Sequence, residues 1–235
     1  DNVVTVTEAG PIRVDQVFIG SCTNSSYQDM MRVARILKGK RVHPEVSLVI
    51  GPGSRQVLTM LARNGALADM MTAGARILET ACGPCIGMGQ SPRTGAVSLR
   101  TNNRNFYARS GTASAGIYLV SCETAAISAL TGVLTDPRTL DIDLTIPQPE
   151  HFEINDNLTI PPVEPGHEAE VEVVRGPNIQ PFPMGKALAP EVSGKVLLKM
   201  EDNITTDHIM PSNAKLLPFR SNIPYLSDYC LSPVD

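Results

Sequence analysis

Tryptophan is absent from the 235 residues and aromatic side chains make up only 4%, so a core here must be packed from aliphatic residues. No apolar run approaches the length that a membrane-spanning helix needs, and the opening residues do not read as a signal peptide. The net charge of −4 lacks the basic face that general nucleic-acid binding uses. With 42% hydrophobic and 19% charged residues, the chain is an ordinary globular protein, long enough for one large domain or two modest ones. Five cysteines, an odd number at irregular spacing, exclude a tidy disulfide scaffold. They fit reduced or metal-bound thiols in a cytoplasm, or in a mitochondrial matrix if the source is eukaryotic.

Two stretches lack charge of one sign. From Thr80 through Cys122 there is no Asp, Glu or Lys, but there are four arginines: Arg93, Arg100, Arg104 and Arg109. Arginine presents a planar fork matched to carboxylate or phosphate, so this one-sided set points to an anionic ligand. Arg104 and Arg109 lie in NNRNFYARSG, where Asn103 and Asn105 add neutral donors. For Arg93 and Arg100 the expectation is pairing with the second stretch, Asp141 to Val174, which holds nine carboxylates and no Lys or Arg. Nine of the nineteen prolines fall between Pro147 and Pro190, as in an extended linker that wraps a surface.

The remaining pattern alternates strands and helices. VDQVFIG (14–20), VSLVI (46–50), RILE (76–79), VSLRT (97–101) and YLVS (118–121) read as strands. Tyr27–Lys38, Arg55–Asn64 and Glu123–Leu130 read as helices, with Ser121 as an N-cap and Gly39, Gly65 and Gly132 beyond the helix ends. Such repetition implies a parallel sheet covered by helices, with ligands at the carboxyl ends of the strands. Farther on, VEVV (171–174) and KVLLKM (195–200) also look strand-like, and DNITTDHIMP is a polar loop.

Cys82-Gly-Pro-Cys85 admits three readings. A thioredoxin-like pair is favoured by the tetrapeptide, but Ala81 replaces the usual aromatic, and IGMGQSPRTG is too rich in Gly and Pro to continue as a helix. Zinc wants four protein ligands, and neither His43 nor His208 is placed to complete a set. Cys22, in SCTNSS, supplies a distant third thiolate in the third reading, and its alternative is a buried thiol at a strand end. Three thiolates on a four-iron cluster leave one iron open as a Lewis acid. Cys122 and Cys230 read as structural.

GSCTNSSYQDM, ACGPCIGMGQ, NNRNFYARSG and DNITTDHIMP, in this order and spacing, resemble the aconitase superfamily of hydro-lyases. VSCETAAISALTG and TDPR add to the likeness, which is nearest to bacterial aconitase-type proteins that carry the swivelling domain on the same chain. The resemblance implies a three-layer αβα domain with a mainly parallel sheet over 1–140, an acidic linker over 141–192 and the start of a swivelling domain over 193–235. It implies that Cys22, Cys82 and Cys85 hold a [4Fe-4S] cluster and that Asn103, Arg104 and Arg109 contact a small tricarboxylate substrate. Asp207 would be an acidic catalytic residue, and Arg220 in PFRSN a carboxylate binder, with one residue more than the family pattern between them. His208 travels with the motif as a local hydrogen-bonding residue.

The implied reaction is reversible dehydration and rehydration, citrate to isocitrate through cis-aconitate. Homoaconitase and isopropylmalate isomerase are the alternatives within the family, and the fused DNITTDH segment counts against the second. An RNA-binding relative without its cluster and a dithiol oxidoreductase are the readings from other classes. The family's remaining site residues would come from other aconitase domains, which are the expected partners. The expectation is therefore of a portion that binds a cluster but is inactive alone.

Overall fold

The structure, a computed structural model, describes residues 2–105, 107–212 and 215–234; Phe106 of the NNRNFYARSG motif lies outside them. The chain forms two compact units, Asp1–Thr159 and Ile160–Asp235, and the boundary falls inside the stretch read as linker.

In the first unit β1 (Gln16–Gly20), β2 (Ser47–Gly51), β3 (Arg76–Ile77), β4 (Val97–Arg100) and β5 (Gly116–Leu119) form one sheet. Its order is β3-β2-β1-β4-β5, and every pairing is parallel. The α/β class expected from the alternation is the one found. The chain runs outward from β1 to β3 and then returns to the other side of β1 for β4 and β5. Strand order thus reverses between β1 and β4, and the crevice beyond such a reversal is where open α/β sheets bind ligands.

Alternation within each strand separates two faces. Val17, Ile19, Leu48, Ile50 and Leu99 point to one side and join a single aliphatic cluster. Four helices complete that cluster: α2 (Tyr27–Leu37), α3 (Arg55–Arg63), α4 (Ala66–Ala73) and α5 (Cys122–Thr131); the short α1 (Val6–Ala9) precedes the sheet. α2 starts with a Ser26–Asp29 capping box and buries Met30, Val33, Ala34, Ile36 and Leu37. The Ser121 hydroxyl accepts from the Thr124 amide at the start of α5, which ends at the left-handed Gly132. Burying such aliphatic side chains is worth ~1.5–3 kcal/mol each, so this face carries the fold without aromatics.

The opposite face is different. Phe18 and Val49 pack there against Leu78 and Cys85, so the segment after β3, with its 3-10 turn over Gly83–Ile86, covers the sheet instead of a long helix. Beyond α5, the chain crosses α2 and α3. Arg35 donates to the carbonyls of Asp143 and Thr145 at 2.9 and 3.0 Å, and Arg63 pairs with Glu153 at 2.7 Å.

In the second unit, α6 (Thr206–Ile209) and α7 (Ile223–Ser227) are the α-helices, and no strand forms among the described residues. The expected strands VEVV and KVLLKM are irregular and exposed, Leu197 to 94%. A run as uniformly apolar as VLL forms a strand only with neighbours on its edges and cover on its faces. This unit supplies neither: Leu216 is its one buried hydrophobic side chain among the described residues.

Candidate functional site

Cys22 lies two residues beyond the end of β1, in a turn with several internal ties. Thr101, just after β4, takes a hydrogen bond from the Gly20 amide at 2.8 Å and returns its hydroxyl proton to the Gly20 carbonyl at 3.2 Å. Asn24 donates to the Thr101 carbonyl, Ser25 to that of Ser21, and the Cys122 thiol to that of Asn24. A side chain at Gly20 would collide with the Gly51 carbonyl on β2. Ser21 is buried at φ 80°, a left-handed backbone that costs a non-glycine residue ~1–3 kcal/mol. Ala108, in the arginine loop, also has a positive φ, of 59°. In the first unit these two are the only such non-glycine positions among the described residues, one in each of two loops beyond the strand-order reversal.

Cys82 caps the start of the 3-10 turn and Cys85 lies within it; the turn rests on a polar layer built by one face of β1 and β4. Register pairs Gln16 with Ser98 and Phe18 with Arg100. The Arg100 guanidinium donates to the Ser98 hydroxyl at 3.1 Å, the Gln16 amide oxygen at 3.1 Å, the Pro84 carbonyl at 2.6 Å and the Gln90 carbonyl. Gln16 reaches the Ser91 carbonyl at 3.3 Å, and Arg76 at the start of β3 donates to Gly89 at 2.8 Å. The glycine- and proline-rich loop, read as too irregular for a helix, thus takes its shape from side chains of the sheet.

The three candidate thiols converge. The Sγ atoms of Cys82 and Cys85 are 3.7 Å apart, and Cys22 lies near enough to Cys82 for each thiol to influence the ionisation of the other. The Thr23 hydroxyl, 3.6 Å away, holds the Cys22 thiol below its ordinary pKa. Desolvation, followed by the charge of Cys85, pushes Cys82 up to about 11 although the residue retains solvent access. Adjacent thiols cannot all ionise without a cation among them.

The arginine loop joins this cluster through its end. The Ser110 hydroxyl donates to the Cys85 carbonyl at 3.1 Å, and Gly87, at φ 87°, has the Ser110 carbonyl where a side chain would be. Asn103 and Arg104 are exposed and Arg109 is half-buried. The Asn105 amide, read as a free donor, instead binds the Ile117 carbonyl at 2.9 Å and ties the loop to β5. Neither Arg93 nor Arg100 meets the acidic stretch expected for it: Arg93 pairs with Asp15 at 2.7 Å, and Arg100 is fully buried. Asp207 and Arg220 belong to the second unit. There His208 accepts from the Thr205 amide at 2.9 Å and caps α6.

Sequence reasoning did not single out Ser110, Thr101, Asn24, Gln16 or Asn102. Asn102 is buried, and neither atom of its amide has a partner. Buried amides are ordinarily satisfied, so the Asn102 amide stands out among the described residues as an orphaned polar group one residue beyond Thr101. No three His, Cys, Asp or Glu side chains meet the geometry for a single metal ion among the described residues. A donor set of three thiols without His or carboxylate suits an iron–sulfur cluster, which spreads thiolates over separate irons, better than one zinc ion. The residues present therefore fit a cluster.

Fold and site together define a parallel α/β domain with three thiols gathered beyond its central strands. Residues 4–132 match the family model described as Aconitase family (aconitate hydratase). That is just over half of the chain, and the chain belongs to the aconitase family. It is 44% identical over 139 residues to the 3-isopropylmalate dehydratase large subunit of Herpetosiphon aurantiacus, covering 59% of this chain and 33% of that protein. It is 46% identical over 140 residues to 3-isopropylmalate dehydratase large subunit 1 of Methanopyrus kandleri, covering 59% and 33%. The homoaconitase large subunit of Thermus thermophilus is 45% identical over 142 residues, covering 60% and 34%. The chain spans about a third of the length of these curated relatives. No helix among the described residues is long and apolar enough to cross a membrane.

Proposed function

We propose that this chain is the cluster-bearing part of a hydro-lyase that moves water reversibly across adjacent carbons of a hydroxy polycarboxylic acid. The observation that carries this reading is the convergence of Cys22, Cys82 and Cys85 at the carboxyl ends of β1 and β3, with the arginine loop bonded to the same turn. Those three thiolates would hold a [4Fe-4S] cluster. When bound, the cluster supplies an iron without a protein ligand, a Lewis acid toward the substrate hydroxyl.

The chain's own residues bind and orient the acid. Arg104 and Arg109 offer bidentate forks to its carboxylates and Asn103 a neutral donor, while Asn105 and Ser110 fix the ends of their loop. Asp207 and Arg220, in the second unit, are read from the motif resemblance as an acidic group and a carboxylate binder. The relatives' names support a substrate of the isopropylmalate or homoaconitate kind over citrate, and with it they remove the reason to place the chain in the tricarboxylic acid cycle. Their large-subunit names support action together with the remaining aconitase domains.

Anaerobic reconstitution with iron and sulfide tests the cluster. The wild-type chain is expected to gain a visible charge-transfer band and near-stoichiometric iron, which Cys22→Ser, Cys82→Ser and Cys85→Ser each lose. Dehydration of isopropylmalate, homocitrate and citrate is then assayed with the other domains added. A chain that takes up no iron ends this reading. The 3.7 Å separation of Cys82 and Cys85 favours a dithiol oxidoreductase as the second reading, and thiol–disulfide exchange that survives Cys22→Ser would support it.

A further inference from the structure

Arg100 is the only charged side chain that is fully buried among the described residues, at 0% exposure. A buried ion is ordinarily matched by an opposite charge, because taking it out of water is expensive. Here no carboxylate approaches: Arg100 makes no ion pair among the described residues, and its four hydrogen bonds end on the neutral oxygens of Ser98, Gln16, Pro84 and Gln90. The Phe18 ring lies 5.8 Å from the guanidinium carbon and adds only weak compensation. Burial pushes the guanidinium down to about 10, and among the described residues the charge of Cys85 opposes this. The bond to the Pro84 carbonyl brings the cation to the peptide that leads into Cys85.

We propose that Arg100 is a positioning residue and the internal counter-cation of the anionic group held by Cys22, Cys82 and Cys85. This inference rests on the cluster reading of the site. Three thiolates and bridging sulfides form a negatively charged assembly, and a cation in the dry layer beneath it acts more strongly than one in water. Its charge favours retention of the cluster and raises the cluster's reduction potential. Its fork shapes the turn that presents Cys85. An arginine serving only as a strut would give the hydrogen bonds without the electrostatic effect.

The test uses the full 235-residue chain and three variants. Arg100→Gln removes the charge. Arg100→Lys keeps the charge and loses the fork. Gln16→Glu, nearly isosteric, sets a carboxylate against the intact arginine and cancels its charge in place. After anaerobic reconstitution, iron and sulfide per chain, the rate of iron loss to a chelator and the midpoint potential are measured, with circular dichroism and thermal unfolding of the metal-free chain as the fold control. Arg100→Gln and Gln16→Glu are expected to shift the potential negative and lose iron several-fold faster, while Arg100→Lys stays close to wild type in potential. Should Arg100→Gln not fold, Gln16→Glu decides, its metal-free fold checked by the same circular dichroism and thermal unfolding. Wild-type potential and iron retention in Gln16→Glu would overturn the counter-cation. Failure of the wild-type chain itself to take up iron would instead remove the cluster reading on which it rests.

Discussion

Ser110 donates its hydroxyl proton to the Cys85 carbonyl across 3.1 Å, and its own carbonyl fills the space where Gly87 has no side chain. The arginine loop and the cysteine turn are therefore one structural piece. Ser110→Ala is expected to cost about 1 kcal/mol, the net worth of one hydrogen bond. Gly87→Ala combines a left-handed backbone with a collision and should cost ~2 kcal/mol or more. Urea denaturation of the metal-free chain measures both, and a Gly87→Ala variant as stable as wild type would show that the two loops are not in contact.

The thiols should differ in reactivity. Cys22 is exposed and held below its ordinary pKa by Thr23, Cys82 is pushed up to about 11, and Cys122 is buried. Thiolate, not thiol, reacts with alkylating agents. Iodoacetamide at neutral pH is expected to label Cys22 well ahead of Cys82 in the metal-free chain, and Cys122 only after unfolding. Peptide mass spectrometry over time gives the order, and faster labelling of Cys82 than of Cys22 would contradict it.

Burial pushes Cys122 up to about 12, above the value of about 8.5 for an unfolded thiol. The folded chain holds this proton more tightly than the unfolded chain does. The resulting stability is fully present below about pH 8.5 and is lost as pH rises from there toward 12. Between those limits the loss approaches ~1.4 kcal/mol per pH unit. Cys122→Ala should flatten this part of the stability profile relative to wild type. Parallel profiles for the two chains would dismiss the thiol as their cause.

Limited proteolysis should divide the chain at its unit boundary. Residues 160–200 are exposed throughout and residues 160–235 bury only the hydrophobic side chain of Leu216 among those described, whereas the first unit has a continuous aliphatic core. Cleavage is expected first beyond Thr159, leaving an N-terminal product that still unfolds cooperatively. Early cuts within β1, α2 or β4 would refute this.

Much of the first unit was legible because its parallel strands are short apolar runs and its helices carry explicit caps, such as Ser121 and Gly132 around α5. α4 was missed because it follows α3 after only Asn64 and Gly65 and has no side-chain cap. The expected strand at KVLLKM failed because apolar composition does not supply a neighbouring strand. Within the site, the thiols and the arginine loop were readable as residue types at telling spacings. The partners of Arg93 and Arg100 were not. Both depend on the β1–β4 register, which sets Asp15 and Gln16 against a segment some eighty residues later.

That same register has a consequence for how the site comes into being. The two central strands are joined only after β2, β3 and the whole cysteine turn have been made, since β4 is fourth in the chain but second in contact with β1. The Cys82–Cys85 turn takes its final hydrogen bonds only with that distant, entropically slow closure, because Arg100 on β4 holds the Pro84 and Gln90 carbonyls. During synthesis, Cys22, Cys82 and Cys85 leave the ribosome as separate, oxidisable groups, and the turn that carries the last two is complete only once Arg100 has docked.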